Sequence, residues 1–206
     1  MKKENIKSIV FDFGGVITNP VDCLIDCSKL ELALGIPRDK IQKAFNRTYF
    51  LHPTNVVSPK EFCKKFSKLL GASLTGDQCN CVYYEMEHSF NIKPEILEYI
   101  QSLKQEYRII LLSNIYIIER TRAIEKRLAP YFHAMYFSNR IGLAKPDPKI
   151  FQFLLDKERL QAADCIFIDD KKENVKAARS LGFHAIEFKG LDELKRSFDK
   201  LGIKIE

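Results

Sequence analysis

The chain has 206 residues, 46% of them hydrophobic and 29% charged, with a formal net charge of +6. That size and balance suit a globular core with room for a small second unit, and no apolar run approaches the roughly 20 residues a membrane-spanning helix needs. Lysines and arginines are scattered among acids without a block, so nothing points to nucleic acid or membrane as a partner, and Met1-Lys2-Lys3-Glu4-Asn5 leads into a strand without a secretory signal pattern, so a cytoplasmic protein is expected.

Residues 6–13 read as a first strand, almost wholly apolar until Asp12. From about residue 18 to 91 strand patterns stop. Helical spacing takes over at 21–34, 39–51, 59–70 and 75–90, with turn signals at Gly35-Ile36-Pro37, His52-Pro53-Thr54-Asn55 and Gly71-Ala72-Ser73. Ser58, Pro59 and Glu61 spell an N-cap, a proline at the first helical position and a capping box. Lys93-Pro94-Glu95 then opens a helix to about residue 105. Strands at 108–113, 134–137, 165–169 and 184–188 alternate with helices at 117–128, 148–155, 173–181 and 191–201. Such alternation predicts an α/β fold, a doubly wound parallel sheet built from residues 1–17 and 92–206, interrupted by a helical insertion at 18–91. The sequence shows no internal repeat.

Three of these strands are almost wholly apolar, as strands buried on both faces are, and each ends in polar residues. The first ends at Asp12-Phe13-Gly14-Gly15-Val16, the second at Ser113-Asn114, the third at Asp169-Asp170. Lys145 stands in Ala144-Lys145-Pro146-Asp147-Pro148, ahead of a helix. In open α/β sheets ligands bind beyond the carboxyl ends of the strands. Asp12, Ser113, Lys145 and the acidic pair could therefore meet in one crevice. A buried carboxylate at Asp12 is costly unless a cation pairs with it. A nucleophile, a hydroxyl, an ammonium and an acidic pair are what Mg²⁺-dependent phosphoryl transfer requires.

The six cysteines, Cys23, Cys27, Cys63, Cys79, Cys81 and Cys165, are expected to be reduced. Cys79-Asn80-Cys81 lacks the second Cys or His pair of a zinc site, and Cys23 and Cys27 would share a helix face. The histidines, His52, His88, His133 and His184, have no ligating spacing.

These four motifs, in this order, resemble those of the haloacid dehalogenase-like hydrolase superfamily. The resemblance implies a phosphatase of small phosphorylated metabolites with a helical cap at 18–91, acting through an aspartyl-phosphate on Asp12. It places Mg²⁺ between Asp12, Asp170 and the backbone carbonyl of Gly14, a set of oxygen donors suited to that ion. Asp169 and Asn174 would stand behind the ligands and orient them. Ser113 Oγ, the Asn114 backbone amide and Lys145 would hold the phosphoryl oxygens. Gly14 departs from the family pattern, in which phosphatases and mutases usually carry an Asp that protonates the leaving oxygen. Dehalogenases also lack that Asp, because halide leaves unprotonated, but they need no Mg²⁺ and have no use for Asp169-Asp170. The alternatives are thus a non-catalytic binding or regulatory protein of this fold, or a dehalogenase. Nothing in the sequence names the substrate or the oligomeric state.

Overall fold

Strands that are almost wholly apolar need cover on both faces, and the chain supplies it. The computed structural model describes residues 6–19, 26–49, 58–88, 90–115 and 118–203. Strands β1 (Ser8–Phe11), β2 (Arg108–Ser113), β3 (Ala134–Phe137), β4 (Cys165–Asp169) and β5 (His184–Glu187) form one parallel sheet in the order β3-β2-β1-β4-β5. β1 lies at the centre, with Val10 in register with Ile110 on one side and Phe167 on the other. Alternate residues divide between two cores, as the twofold period of a strand requires. Ile9, Phe11, Ile109 and Leu111 pack with one set of buried apolar residues, Val10, Ile110, Leu112 and Phe167 with another.

Helices α1 (Cys27–Leu34), α2 (Arg38–Tyr49), α3 (Pro59–Leu70) and α4 (Gly76–His88) lie between β1 and β2. α5 (Pro94–Leu103), α6 (Ile118–Leu128) and α10 (Leu191–Lys200) contribute to the first core, through residues such as Ile100, Ile124 and Phe198. α8 (Pro148–Glu158) and α9 (Lys172–Ser180) contribute to the second, through Phe151 and Val175, and the short α7 (Ser138–Ile141) follows β3. Helices on both faces of a parallel sheet are the doubly wound arrangement expected from the alternation.

The four inserted helices share a core of their own, in which Phe62 stacks on Phe66 with ring centroids 5.8 Å apart and Leu30, Ile41, Phe45 and Met86 are buried. The capping box is formed: the Glu61 N–H donates to Ser58 Oγ and the Ser58 N–H to the Glu61 carboxylate, each at 3.3 Å. The insertion leaves and rejoins the sheet domain side by side. Thr18 and Ile92 make an antiparallel bridge, and the Lys93 N–H donates to Ile17 O at 2.9 Å.

Several boundaries shift for local reasons. α1 starts at Cys27 because Asp26 caps it, accepting from the Ser28 and Lys29 amides. Residues 21–25, with Cys23, lie outside the described set, as does the turn at 52–55 with His52. α8 runs three residues beyond 155, and Glu158 there accepts from Arg108 and from Tyr136. α7 and a 3₁₀ turn at Ala162–Asp164 were not expected from the sequence. The cysteines among the described residues are free thiols.

Candidate active site

Because β1, β2 and β4 are neighbours in the sheet, their carboxyl ends bring Asp12, Ser113 and Asp169 to one edge. Lys145 enters this group from the turn between α7 and α8. It is 5% exposed, and its ammonium donates to Asp12 Oδ1 at 2.7 Å, Asp169 Oδ2 at 2.6 Å and the Leu112 carbonyl at 2.9 Å. These three acceptors use the three N–H donors of the group, which is how a buried ammonium becomes tolerable. Burial works against the charge on Lys145, but the Asp12 and Asp169 carboxylates outweigh it and hold the lysine above its ordinary range.

The lysine's backbone is fixed as firmly as its head. The Lys145 N–H donates to Asn114 Oδ1 at 2.9 Å, and Asn114 Nδ2 donates to the Lys145 carbonyl at 2.8 Å. The Asn114 side chain is thus engaged with Lys145. Asp169, fully buried, also accepts from Asn174 Nδ2 at 3.0 Å on both oxygens and from the Lys171 N–H at 2.9 Å. Ser113 is buried at the end of β2.

Asp12, Asp169 and Asp170 each offer a carboxylate oxygen within 4.8 Å of the others. Three carboxylates face one buried ammonium, and the imbalance shows in their proton affinity. Burial pushes Asp12 up to about 7 despite Lys145, with Asp169 and Asp170 adding to the rise. Asp170 is raised too, by burial and then by Asp169. Its Oδ1 is buried and has no hydrogen-bond partner among the described residues. An orphaned carboxylate oxygen beside a half-compensated one fits a hard divalent cation, which takes oxygen ligands and supplies the missing positive charge. Asp12 and Asp170 could hold such an ion; the oxygens of Asp169 are already occupied by Lys145, Asn174 and the Lys171 amide.

The two glycines after Asp12 differ. Gly15 has φ +79°, and a Cβ there would lie 2.2 Å from Asp170 Oδ2, so only glycine fits. Gly14 has φ −72° and ψ 128°, a conformation open to any residue. Its missing side chain is therefore no requirement of the turn. One neighbour of the site has no signal in the sequence beyond a Lys-Pro helix start: Lys93, whose ammonium donates to the Gly15 and Val16 carbonyls, each at 3.3 Å.

A family model for haloacid dehalogenase-like hydrolases matches residues 6–182. A D-ribitol-5-phosphate phosphatase from Bacteroides thetaiotaomicron is 28% identical over 195 residues, covering 88% of this chain and 91% of that protein. The bifunctional epoxide hydrolase 2 of Rattus norvegicus is 24% identical over 95% of this chain, which spans only 39% of its length. Among solved structures, a HAD family enzyme from B. thetaiotaomicron, the wild type in complex with magnesium and inorganic phosphate, superposes with a TM-score of 0.72 at 22% identity, covering 92% of this chain and 98% of that one. A dehalogenase with an intermediate complex gives a TM-score of 0.71 at 16% identity, covering 91% and 88%.

Proposed function

Because the chain belongs to the haloacid dehalogenase-like hydrolase family, we propose that it is a Mg²⁺-dependent phosphatase of small phosphorylated metabolites, working through an aspartyl-phosphate on Asp12. The observation that carries this reading is the surplus of carboxylate over ammonium at Asp12, Asp169 and Asp170, with Asp170 Oδ1 orphaned. The B. thetaiotaomicron phosphatase and the magnesium and phosphate complex of the structural neighbour support it.

Asp12 and Asp170, with the Gly14 carbonyl, would hold the ion. Bound Mg²⁺ would supply charge that offsets the carboxylates and draws in the phosphoryl oxygens. The chain's own groups do the rest. Lys145 holds Asp12 by Oδ1 and keeps it from drifting. One Asp12 oxygen attacks phosphorus, the P–O ester bond breaks, and the leaving oxygen departs with the bonding pair and takes up a proton from solvent water, since Gly14 offers none. Water then attacks phosphorus, releasing phosphate and restoring the Asp12 carboxylate. Ser113 Oγ and the Asn114 amide would donate to the phosphoryl oxygens. All three Lys145 protons are already engaged, so contact with phosphate requires one to be shared. Asn114 and Asn174 act as orienting groups, on Lys145 and Asp169 respectively. The helical insertion that carries α1–α4 would act as a cap, closing over the site and limiting the size of the substrate.

Gly14 also suits a dehalogenase, whose leaving halide needs no proton. The orphaned third carboxylate at Asp170 has no purpose in that chemistry, which leaves the phosphatase reading ahead. Phosphate release over a panel of pentitol, sugar, nucleotide and acyl phosphates, with Mg²⁺ and with EDTA, tests it. Metal-dependent release from a metabolite is expected. Halide release from 2-haloacids, or no turnover of any compound, would refute it.

A further inference from the structure

Two consecutive glycines follow the nucleophile, and a Gly-Gly turn has little stiffness of its own. Two backbone bonds brace it from within, from the Gly15 N–H to Asn19 O at 3.3 Å and from the Thr18 N–H to Phe13 O at 3.1 Å, and a side chain braces it from outside. The Lys93 ammonium donates to the carbonyls of Gly15 and Val16, two successive peptide groups, each at 3.3 Å. Lys93 is in turn secured from several sides. Its N–H donates to Ile17 O at 2.9 Å, Ile92 before it pairs with Thr18, and Pro94 after it opens α5. The Phe188 ring lies beneath the ammonium, 5.2 Å from centroid to Nζ. The Asp170 carboxylate fills the space a Gly15 Cβ would take, 2.2 Å from Oδ2, so any movement of Gly15 moves the surface that supports this carboxylate. The peptide carrying the Gly14 carbonyl adjoins the same Cα.

We propose that Lys93 is a positioning residue: its ammonium straps the Gly14-Gly15-Val16 turn to the point where the helical insertion rejoins the sheet domain, and so sets the geometry of the metal-facing oxygens of Gly14 and Asp170. The inference rests on the Mg²⁺ site proposed above. It makes a substitution at Lys93 act on cation binding without any contact between Lys93 and the cation.

Two effects of losing the lysine oppose each other. Removing a positive charge near Asp170 would tighten cation binding. Loosening the turn would weaken it, and outer partners of metal ligands typically cost about 10–100-fold in affinity or activity when lost. The strap predicts that the second effect wins. The test titrates MgCl₂ alone into the full chain by calorimetry, for wild type, Lys93→Met and Lys93→Arg, and follows turnover of p-nitrophenyl phosphate at saturating Mg²⁺. Lys93→Met should bind Mg²⁺ about tenfold more weakly and lose about tenfold in kcat, at the lower end of that range, with KM nearly unchanged. Lys93→Arg, which keeps charge and donors, should recover most of both. If Lys93→Met does not fold, Lys93→Gln serves as the same test. Mg²⁺ affinity unchanged or tighter in the uncharged variant, even with a lowered melting temperature, would overturn the inference while leaving the phosphatase reading intact. Absence of Mg²⁺ binding by wild type would refute the metal reading itself, and the strap with it.

Discussion

Asp170→Asn should stabilise the metal-free protein and remove its response to Mg²⁺. In wild type, Asp170 Oδ1 is buried without a partner among the described residues, and oxygens of Asp12 and Asp169 lie within 4.8 Å of an Asp170 oxygen. Two unit charges at that distance repel by about 3–4 kcal/mol at an effective dielectric of about 20. Lys171 and Lys145 offset part of this, and Asp12, with its proton affinity raised to about 7, is only partly ionised at neutral pH. A net gain of about 2 kcal/mol remains for the neutral amide, equivalent to about 4–8 °C in a chain of this size. Mg²⁺ reverses the order. At about 100 times its dissociation constant it adds about 2.7 kcal/mol to wild type and little to the variant. The assay is thermal unfolding of both proteins in EDTA and across a Mg²⁺ titration at pH 7.5. The two melting curves should cross: variant higher in EDTA, wild type higher in Mg²⁺. A variant less stable than wild type in EDTA, or equally stabilised by Mg²⁺, would show that Asp170 is not an uncompensated ligand carboxylate.

Lys145→Met leaves Asp12 and Asp169 buried without their ammonium, and urea unfolding should show a loss of about 3–5 kcal/mol together with loss of turnover; unchanged stability would mean the carboxylates find other compensation. Asp12 is raised from its ordinary carboxylate value to about 7 in the fold, chiefly by burial. Between about pH 4 and 7 the folded state therefore binds more protons than the unfolded one, so in EDTA the Asp12 contribution is present at low pH and lost as pH rises through 7. The difference in melting temperature between wild type and Asp12→Asn should follow that window, and a flat difference would refute the assignment. Gly15→Ala, strained at φ +79° and pressed against Asp170, should cost more than about 1 kcal/mol and most activity, whereas Gly14→Ala should fold normally. Gly14→Asp, in a backbone conformation that accepts it, should speed alkyl phosphates more than aryl phosphates, within the roughly 10²–10⁴-fold that general acid catalysis supplies; an equal effect on both series would mean that another group already protonates the leaving oxygen.

The parts of the site legible in the sequence are those where a polar residue ends an apolar strand. Asp12, Ser113 and Asp169 stand out because a central parallel strand has no tolerance for polarity except at its end. Lys145, 133 residues from Asp12 in the chain, was legible only as one member of an ordered set; its salt bridges are made by the fold. The side-chain role of Asn114 was not legible, because a clamp on the Lys145 backbone depends on how two loops meet. Nor was the difference between Gly14 and Gly15, since sign of φ is not written in a Gly-Gly pair. Lys93 reads as the residue before a helix-opening proline, and its reach to Gly15 and Val16 appears only once the insertion returns beside Ile17. α7, four residues long, is too short to carry a period.

The central claim is covalent chemistry at Asp12, and the most direct measurement is acid quench of single turnovers, followed by mass spectrometry of the peptide carrying Asp12. With Mg²⁺ and a reactive aryl phosphate, a phosphoryl adduct on Asp12 should rise before free phosphate appears, then decay as it does; Asp12→Asn should form neither. Phosphate release at the wild-type rate by Asp12→Asn, with no adduct at any time in wild type, would contradict the account.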